Sequence, residues 1–395
     1  MPASREAGIR GRAGGVDVLV SAGEPSGDMH AAEVVRALRR RAPGLTVAGL
    51  AGPAMRAAGC RAWVTQEQLA VMGLVEVVRH LPRIHAVGRL LLERAAACRP
   101  KAAVLVDFSS FHIRLGARLR ALGIPVVHYI APKLWAWGAW RVRRLARSQD
   151  LLAAIFPFEE EWFARHGIRA RYVGNPVASR ADGGWSRAEL CRRLGLDRAR
   201  RVLALLPGSR PSELDRHLPL LATVMARLRA EDPALQVVVP QAPGLSSAAL
   251  APLRAQGGVV VPRLQPEFAL RVDAAVAVSG TATLELALWG TPTVLVYRAA
   301  PTTIWLARRL VGLNCVGLAN ILLDDQEIMP ELIQEQATPD RVVACVRPLL
   351  AGGEAAARQR WHFARLRDTM GSDDPAQRVA DAVISLGGVD VGSAR

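Results

Sequence analysis

The chain has 395 residues, more than one hydrophobic core usually supports, so its length predicts two domains. Its formal net charge is +16, nearly all from arginine, which favours anionic partners such as phosphorylated substrates, lipid headgroups or nucleic acid. The five cysteines include no C-x-x-C pair and no apolar run could span a membrane, which argues against a zinc site, a disulfide framework and an integral membrane protein. Residues 1–15 are rich in glycine and arginine, lack an apolar signal core, and are predicted to form a disordered tail.

The first predicted element is a strand over Val16–Ala22, followed by a loop at residues 23–28 (GEPSGD) and a helix from about residue 30 to 40. This order is typical of a dinucleotide-binding domain, but the spacing differs from G-x-G-x-x-G, so a dinucleotide is not predicted. Ser26 and Asp28 are candidates for contact with an acceptor or a phosphate. A structural alternative is that Asp28 caps the helix that follows.

An apolar segment with basic residues on one side occupies residues 66–83. Such a segment either lies on a membrane surface or belongs to the core. Its candidate membrane-contacting residues are Val71, Met72, Leu74, Val75 and Val78.

The next strand, Ala102–Val106, ends in an acidic residue, Asp107. Parallel α/β sheets bind ligands at the carboxyl ends of their strands, so Asp107 is a candidate general base. The alternative is that it caps the helix predicted over residues 113–122.

The remaining elements alternate between strands and helices, which predicts parallel sheets. Glycine and proline between residues 174 and 184 predict a linker, after which the pattern restarts. The further predicted strands are 125–129, 151–156, 171–173, 201–206, 235–239 and 259–261, and the further helices are 141–147, 159–166, 218–229, 248–256 and, with a break at 371–375, 340–386.

Residues 276–298 form the clearest βαβ unit of the chain, in which a strand precedes a short apolar helix that Gly290 and Pro292 terminate, and a second strand over Thr293–Tyr297 follows it. The turn before the helix offers free N–H groups and the positive end of the helix dipole, which together could hold a phosphate. Glu285, one turn later, could accept hydrogen bonds from sugar hydroxyls. The alternative is a capped helix that binds nothing. The candidate phosphate-binding residues are Ser279, Gly280, Thr281, Ala282 and Thr283.

A second glycine turn, Pro207–Arg210, precedes another predicted helix, and Arg210 could clamp a diphosphate. Two Rossmann-like domains that face an interdomain cleft would bring these turns and Asp107 to one ligand. This arrangement fits group transfer from a nucleotide-activated donor. No D-x-D or similar metal-ligand cluster is present, so the leaving-group charge would fall to helix dipoles and arginine.

Six motifs occur in order at compatible spacing, and together they resemble the lipid-A-disaccharide synthase family of glycosyltransferases. They are GEPSGD at 23–28, LAVMG at 69–73, WAW at 135–137, LLPGSR at 205–210, SGTATLE at 279–285 and YR at 297–298. The resemblance covers about residues 16–385 and implies the GT-B fold.

The resemblance also implies a reaction and the residues that perform it. The 6-hydroxyl of 2,3-diacylglucosamine 1-phosphate attacks UDP-2,3-diacylglucosamine, which gives UDP and a β-1,6-linked disaccharide 1-phosphate with inversion. Asp107 would be the general base, Glu285 would hold the ribose, and Arg210 and the Ser279–Thr283 turn would hold the diphosphate. Asn320 matches a family asparagine near the donor. No cofactor is implied.

The same resemblance assigns the domains and the location. Residues 16–176 would form the acceptor and membrane domain, residues 177–365 the UDP-sugar domain, and residues 366–395 a final helix, crossing back to the first domain, and a tail. Since both substrates carry acyl chains, the enzyme would bind peripherally to the anionic inner face of the cytoplasmic membrane, without nucleic acid. The sequence does not indicate an oligomeric state.

The sequence departs from the family after Asp107. Relatives usually have a small residue followed by Pro-Asp-Phe-Asn, whereas this chain has FSSFH at 108–112, so that His112 replaces an amide. An inactive relative therefore stays open, as does a UDP-N-acetylglucosamine 2-epimerase, which shares the architecture. A basic nucleic-acid-binding protein would need an aromatic and basic sheet surface or a helix module, and neither is evident.

Overall fold

The computed structural model describes residues 15–69, 77–136, 138–181, 183–242, 245–262, 268–300 and 314–389, and for residues 77–81 only the backbone. These residues form two compact units. One unit comprises the chain up to Pro176 together with the segment from Asp373 onward, and the other comprises Val177–Ser372. Residues 1–14 of the predicted tail and residues 70–76 of the predicted membrane segment lie outside the described residues.

The first unit contains a seven-stranded parallel sheet with the order β3-β2-β1-β4-β5-β6-β7. Its strands are β1 (Val18–Ala22), β2 (Val47–Ala51), β3 (Arg61–Thr65), β4 (Ala102–Val106), β5 (Val126–Tyr129), β6 (Leu151–Ala154) and β7 (Ala170–Tyr172). Six helices follow these strands: α1 (Pro25–Arg41), α2 (Pro53–Ala57), α3 (Val77–Cys98), α4 (Ser109–Ala121), α5 (Val142–Ala146) and α6 (Pro157–Ala164).

The second unit contains a six-stranded parallel sheet with the order β10-β9-β8-β11-β12-β13. Its strands are β8 (Val202–Leu206), β9 (Gln236–Gln241), β10 (Val259–Pro262), β11 (Ala274–Val278), β12 (Thr293–Tyr297) and β13 (Glu331–Ile333). Its helices are α7 (Arg187–Leu194), α8 (Pro211–Glu231), α9 (Ala251–Ala255), α10 (Thr281–Leu288), α11 (Leu318–Leu322), α12 (Pro339–Leu350) and α13 (Glu354–Met370). Short 3₁₀ turns in the two units span Gln66–Gln68, Ala139–Arg141, Ala178–Arg180, Ser247–Leu250 and Gln334–Gln336.

The central strands are apolar throughout because helices cover both faces of each sheet. In the first unit, Val18 and Val20 of β1 point into one core, whereas Leu19 between them points into the core on the other face, with Leu105 and Leu91. The alternation of side chains along a strand accounts for this division. A strand buried on both sides thus has the continuous hydrophobic run that made it recognisable in the sequence.

The last helix, α14 (Pro375–Gly387), belongs to the first unit although it ends the chain. Its buried residues Val379, Ala380 and Val383 join the core formed by α1, β1 and β4. Asp374 caps this helix by accepting hydrogen bonds from the N–H groups of Ala376 and Gln377, at 2.9 and 3.2 Å.

The predicted fold class, two parallel-sheet α/β domains, is confirmed. The sequence pattern missed β2, α2 and β3, partly because Gly49 interrupts the apolar run of β2. A Cβ at Gly49 would lie 1.9 Å from the carbonyl oxygen of Val20, so the close approach of β1 requires glycine there. The helix predicted from residue 30 begins earlier, at Pro25, because proline suits the first turn of a helix. Among the described residues, no helix is long and apolar enough to cross a membrane.

Candidate functional site

Asp107 follows β4 directly, at the carboxyl edge of the first sheet and between β1 and β5 in the strand order. Its φ is 51° and that of Phe108 is 45°, so two consecutive non-glycine residues occupy the left-handed region. Such conformations cost on the order of 1–3 kcal/mol each and persist only where surrounding contacts hold them. The backbone at Asp107 is therefore a specific turn that the rest of the unit stabilises.

Neighbouring elements hold this turn by hydrogen bonds. The N–H of Asp107 donates to the carbonyl of Tyr129 on β5 at 2.9 Å. Its carbonyl accepts a hydrogen bond from Nδ1 of His112 at 2.7 Å, and Nε2 of His112 lies 2.9 Å from the Ser21 hydroxyl on β1. Since a carbonyl can only accept, Nδ1 carries the proton and the Ser21 hydroxyl donates to Nε2.

The alternative that Asp107 caps α4 is wrong. The N-cap residue of α4 is Phe108, and no side chain caps this helix by a hydrogen bond. The helix also begins at Ser109, four residues before the predicted start, because the left-handed turn at Asp107 and Phe108 leads into it immediately. The Asp107 side chain is thus not used by the helix beside it.

The surroundings of Asp107 favour a stronger base than a free aspartate. Desolvation raises the pKa of Asp107 above its ordinary value, and the N–H of Phe108 and the charge of Lys133 only partly offset this effect. A raised pKa brings a carboxylate closer to the pH at which it must accept a proton. Asp107 is half-buried, so a substrate hydroxyl can still reach it.

Two buried histidines, His112 and His128, lie beside the Asp107 turn. The rings of His112 and His128 are perpendicular, with centroids 6.2 Å apart, and both side chains are fully buried. Burial lowers the pKa of His112 to about 4 and that of His128 to about 3, so both rings are neutral near pH 7. Within the described part of the chain, neither ring nitrogen of His128 has a hydrogen-bond partner.

A buried carboxylate lies near Lys133. Glu159 accepts hydrogen bonds from Trp135 Nε1 at 2.9 Å and from the N–H groups of Ile155 and Phe156, both at 3.2 Å. Desolvation raises its pKa to about 7 against the effect of these bonds and of Lys133. Trp135 of the tryptophan motif thus anchors the start of α6.

The loop after β1 packs against the Asp107 turn. A Cβ on Gly23 would lie 2.3 Å from the Phe108 ring, so only glycine leaves room for that ring. Ser26 is exposed in the first turn of α1.

Asp28 caps α2 rather than α1, so its predicted capping role is corrected. The buried carboxylate of Asp28 accepts hydrogen bonds from the N–H groups of Gly52, Ala54 and Met55, at 2.9, 2.8 and 3.1 Å. These are the donors that a helix start leaves unsatisfied. The packing of α1 against α2 brings the carboxylate to them.

The turn between β11 and α10 is open. Gly280 is the N-cap, its backbone is extended, and no side chain caps the helix by a hydrogen bond. A Cβ on Gly280 would meet nothing within 4 Å. Gly280 and Thr281 are exposed, Ser279 and Ala282 half-buried, and Thr283 is buried with its hydroxyl donating to the Gly280 carbonyl at 2.7 Å. This helix start is suited to hold an anion.

The turn between β8 and α8 is closed by its own helix. Oε2 of Glu213 accepts hydrogen bonds from the N–H groups of Ser209 and Arg210, at 2.8 and 3.3 Å, and Oε1 pairs with the Arg210 guanidinium at 3.2 Å. Glu213 is a site residue that was not predicted, although an acid three residues after the cap position is the signal of a capping box. The Arg210 side chain is 78% exposed, so it remains accessible to a ligand.

His217 connects α8 to the end of β12. Its Nδ1 donates to the Glu213 carbonyl at 2.7 Å, and its Nε2 accepts from the N–H of Arg298 at 2.8 Å. Its ring stacks on Tyr297 with centroids 6.0 Å apart. Both residues of the Tyr-Arg motif, at the end of β12, thus contact His217 of α8.

Asn320 is a buried structural residue on α11. Its Nδ2 donates to the Met329 carbonyl at 2.9 Å and to Glu331 Oε1 at 2.8 Å, and its Oδ1 accepts from the N–H groups of Ile328 and Met329, at 3.1 and 2.9 Å. Both N–H bonds and both lone pairs of the amide are thus used inside the second unit. Because α11 packs against α10, Asn320 supports the open turn indirectly.

The other predicted site residues are less informative. Glu285 is half-buried on α10, one turn after Thr281. Val71, Met72, Leu74 and Val75 lie outside the described residues, and Val78 lies on α3 with only its backbone described. In the part of the chain that the structure describes, no cluster of three or more His, Cys, Asp or Glu residues could hold a metal ion.

Comparison with known proteins identifies similar sequences along nearly the whole chain. The family described as lipid-A-disaccharide synthetase matches residues 18–377. The lipid-A-disaccharide synthase of Anaeromyxobacter dehalogenans is 43% identical over 93% of this chain and 97% of that protein. The protein of the same name from Myxococcus xanthus is 40% identical over the same shares, and that from Alkalilimnicola ehrlichii is 39% identical over 94% and 99%.

Solved structures with low sequence identity share the fold. The calicheamicin glycosyltransferase CalG4 aligns with a TM-score of 0.60 and 16% identity over 96% of this chain and 99% of its own. The UDP-N-acetylglucosamine 2-epimerase of Neisseria meningitidis, bound to UDP-GlcNAc, aligns with a TM-score of 0.61 and 12% identity over 93% and 99%. At these identities the likeness concerns the fold alone.

Proposed function

Since this chain belongs to the lipid-A-disaccharide synthase family, we propose that it transfers the diacylglucosamine of UDP-2,3-diacylglucosamine to the 6-hydroxyl of 2,3-diacylglucosamine 1-phosphate. The products are UDP and a β-1,6-linked disaccharide 1-phosphate. The observation that carries the proposal is the open helix start at Gly280, at the carboxyl end of β11, where α/β sheets bind phosphorylated ligands.

The donor diphosphate binds at this turn. The N–H groups of the first α10 residues and the helix dipole stabilise its negative charge, and that charge grows as UDP leaves. The exposed Arg210 guanidinium reaches the diphosphate from the neighbouring turn. Glu285 accepts hydrogen bonds from the ribose hydroxyls, and Asn320 contributes by fixing α11, which packs against α10, to the segment from Ile328 to Glu331.

Asp107 serves as the general base for the acceptor. It takes the proton of the 6-hydroxyl while that oxygen forms a bond to the anomeric carbon, and the bond from this carbon to the UDP oxygen breaks. One displacement of this kind inverts the anomeric centre. The raised pKa of Asp107 supports this role. The mechanism uses no metal ion, because the helix dipole and Arg210 neutralise the leaving group.

The enzyme works at a membrane surface, because both substrates carry acyl chains. We propose peripheral binding at the inner face of the cytoplasmic membrane, driven by apolar residues between 66 and 83 and by the basic surface. On this view residues 16–176 bind the acceptor and the membrane, and residues 177–365 bind the donor. Ser26 lies on the acceptor side, whereas Asp28 contributes through α2.

The direct test is an assay of both substrates in detergent micelles, with UDP and disaccharide measured for the wild type and for Asp107→Ala. We expect disaccharide from the wild type and a loss of about 10²–10⁴-fold in kcat for the variant. Asp107→Asn, which has nearly the same volume, is the matched control for packing and should lose as much.

Three results would contradict the proposal in different ways. No disaccharide with any acyl length would overturn the synthase reaction. Conversion of the UDP-sugar without an acceptor would favour an epimerase. Full activity of Asp107→Ala would keep the reaction and reject the base.

A further inference from the structure

We propose that His112 is a positioning residue that fixes the backbone turn presenting Asp107 to the acceptor hydroxyl. The inference rests on the proposed role of Asp107 as the base. His112 does not touch substrate in this proposal. It acts through the hydrogen bond from its Nδ1 to the carbonyl oxygen of Asp107, at 2.7 Å.

The position of that carbonyl gives the bond its effect. The carbonyl belongs to the planar peptide unit between Asp107 and Phe108, so its direction is coupled to ψ of the first residue and φ of the second. Both residues are held in the left-handed region, with φ values of 51° and 45°. Without a partner for this oxygen, the peptide can rotate toward ordinary conformations and carry the Asp107 carboxylate with it.

His112 is itself fixed from the far side. The Asp107 carbonyl can only accept, which requires the proton on Nδ1, and the Ser21 hydroxyl on β1, 2.9 Å from Nε2, donates to that nitrogen. The N–H of Asp107 is bound by the Tyr129 carbonyl on β5. The two ends of the aspartate backbone are therefore tied, directly or through His112, to the two strands beside β4.

The aromatic side chains that pack against the His112 ring are uncharged and lie close to it. The Phe111 and Phe108 rings lie with their centroids 5.4 and 5.8 Å from the imidazole, and the centroid of the His128 ring lies 6.2 Å from it. His112 is fully buried on α4, and burial keeps it uncharged. A neutral ring donates from Nδ1 to the Asp107 carbonyl and accepts at Nε2 from the Ser21 hydroxyl, whereas in a charged ring Nε2 would also be protonated and the Ser21 hydroxyl would have to accept.

Two amide variants separate positioning from packing. Asn carries its amide nitrogen at the place of Nδ1, one bond beyond Cγ, whereas Gln carries it one carbon further, at the place of Nε2. His112→Asn therefore keeps the donor to the Asp107 carbonyl, and His112→Gln loses it. Both variants remove the aromatic ring, so each is a control for the effect that loss of the ring has on the stability of the other.

We expect His112→Asn to rescue most of the activity, within about fivefold in kcat, and His112→Gln to lose about tenfold to a hundredfold, the effect of a misplaced catalytic group. KM for the donor and the affinity for UDP should stay the same in both, because the donor turn lies in the other unit. The acid limb of the pH–rate profile should shift in His112→Gln, because the surroundings of the Asp107 carboxylate change in this variant.

Equal kcat values in two folded variants would overturn the proposal. If neither variant folds, ¹⁵N NMR of the wild-type histidines decides: a proton on Nδ1 of His112 supports it, and a proton on Nε2 rejects it. Asp107→Asn separates this inference from the proposed function. An active Asp107→Asn enzyme would reject the base itself, whereas an inactive one beside a fully active His112→Gln would reject only the role of His112.

Discussion

The second unit contains two helix starts built on the same plan, and they differ in what they leave available. Both α8 and α10 follow a buried strand and a glycine turn at the carboxyl edge of one parallel sheet. At α8 the third helical residue, Glu213, binds the free N–H groups, whereas at α10 the third residue, Thr283, turns its hydroxyl back to the Gly280 carbonyl. A glycine turn thus leaves its N–H groups available to an anion only where the helix does not supply its own carboxylate.

Of the two glycine turns, the open one should respond more strongly to a substitution. Gly280→Ala adds a methyl group where the structure has free space and where the diphosphate must approach, so folding is unaffected and UDP affinity falls by about tenfold, or ~1.4 kcal/mol. Calorimetric titration with UDP measures this. Gly353→Ala is the matched control, because Gly353 is also a helix N-cap with nothing within 4 Å of its Cβ. Equal UDP affinity in the wild type, Gly280→Ala and Gly353→Ala would show that the diphosphate binds elsewhere.

A third helix start, that of α4, contrasts with both because the buried His112 holds the turn before it and the buried His128 packs against His112. The pKa of His128 is about 3 and that of His112 about 4 in the folded chain, below the ordinary value of about 6.5, so the unfolded chain takes up protons first as the pH falls. Stability should therefore decrease below about pH 6.5, by up to ~1.4 kcal/mol per pH unit for each histidine.

His128→Leu sharpens this contrast, because the ring nitrogens have no hydrogen-bond partner among the described residues. The variant should show a smaller drop in thermal midpoint between about pH 6.5 and pH 5 than the wild type. An unchanged pH dependence would mean that His128 titrates normally in the folded protein.

Opening the closed turn should give the smallest effect. Glu213→Ala removes a helix cap and should cost about 1 kcal/mol of stability, seen as a lower thermal midpoint, without loss of UDP affinity. Glu213→Gln retains an oxygen acceptor and should cost less. A strong loss of UDP binding in Glu213→Gln would instead place this carboxylate in the donor site and remove the distinction between the two turns.

Local patterns were enough to predict one half of the candidate site. The strand Thr293–Tyr297 was predicted to the residue, and Asp107 was predicted at the end of β4, because an apolar run and the residues that end it are neighbours in sequence. Glu213 was also within reach of the sequence, since its spacing from the turn is the signal of a capping box.

Long-range partners explain what the sequence could not indicate. Asp28 caps a helix that begins 25 residues later, and His112 meets Ser21 across 91 residues. Asn320 stays a predicted donor contact, and what its sequence position does not indicate is that its amide is bonded to the segment from Ile328 to Glu331. Such roles depend on which strands lie side by side, and a single sequence does not reveal that order before the fold is known.

The place of α14 has a consequence for synthesis. The ribosome releases residues 1–176 long before Pro375–Gly387, yet Val379, Ala380 and Val383 complete the core over α1 and β4. The first unit therefore stays unfinished, with an apolar strip uncovered, while the whole second unit emerges and has every residue it needs to fold. A message truncated after residue 372 would yield a complete second unit joined to an incomplete first unit that chaperones and proteases still recognise as immature.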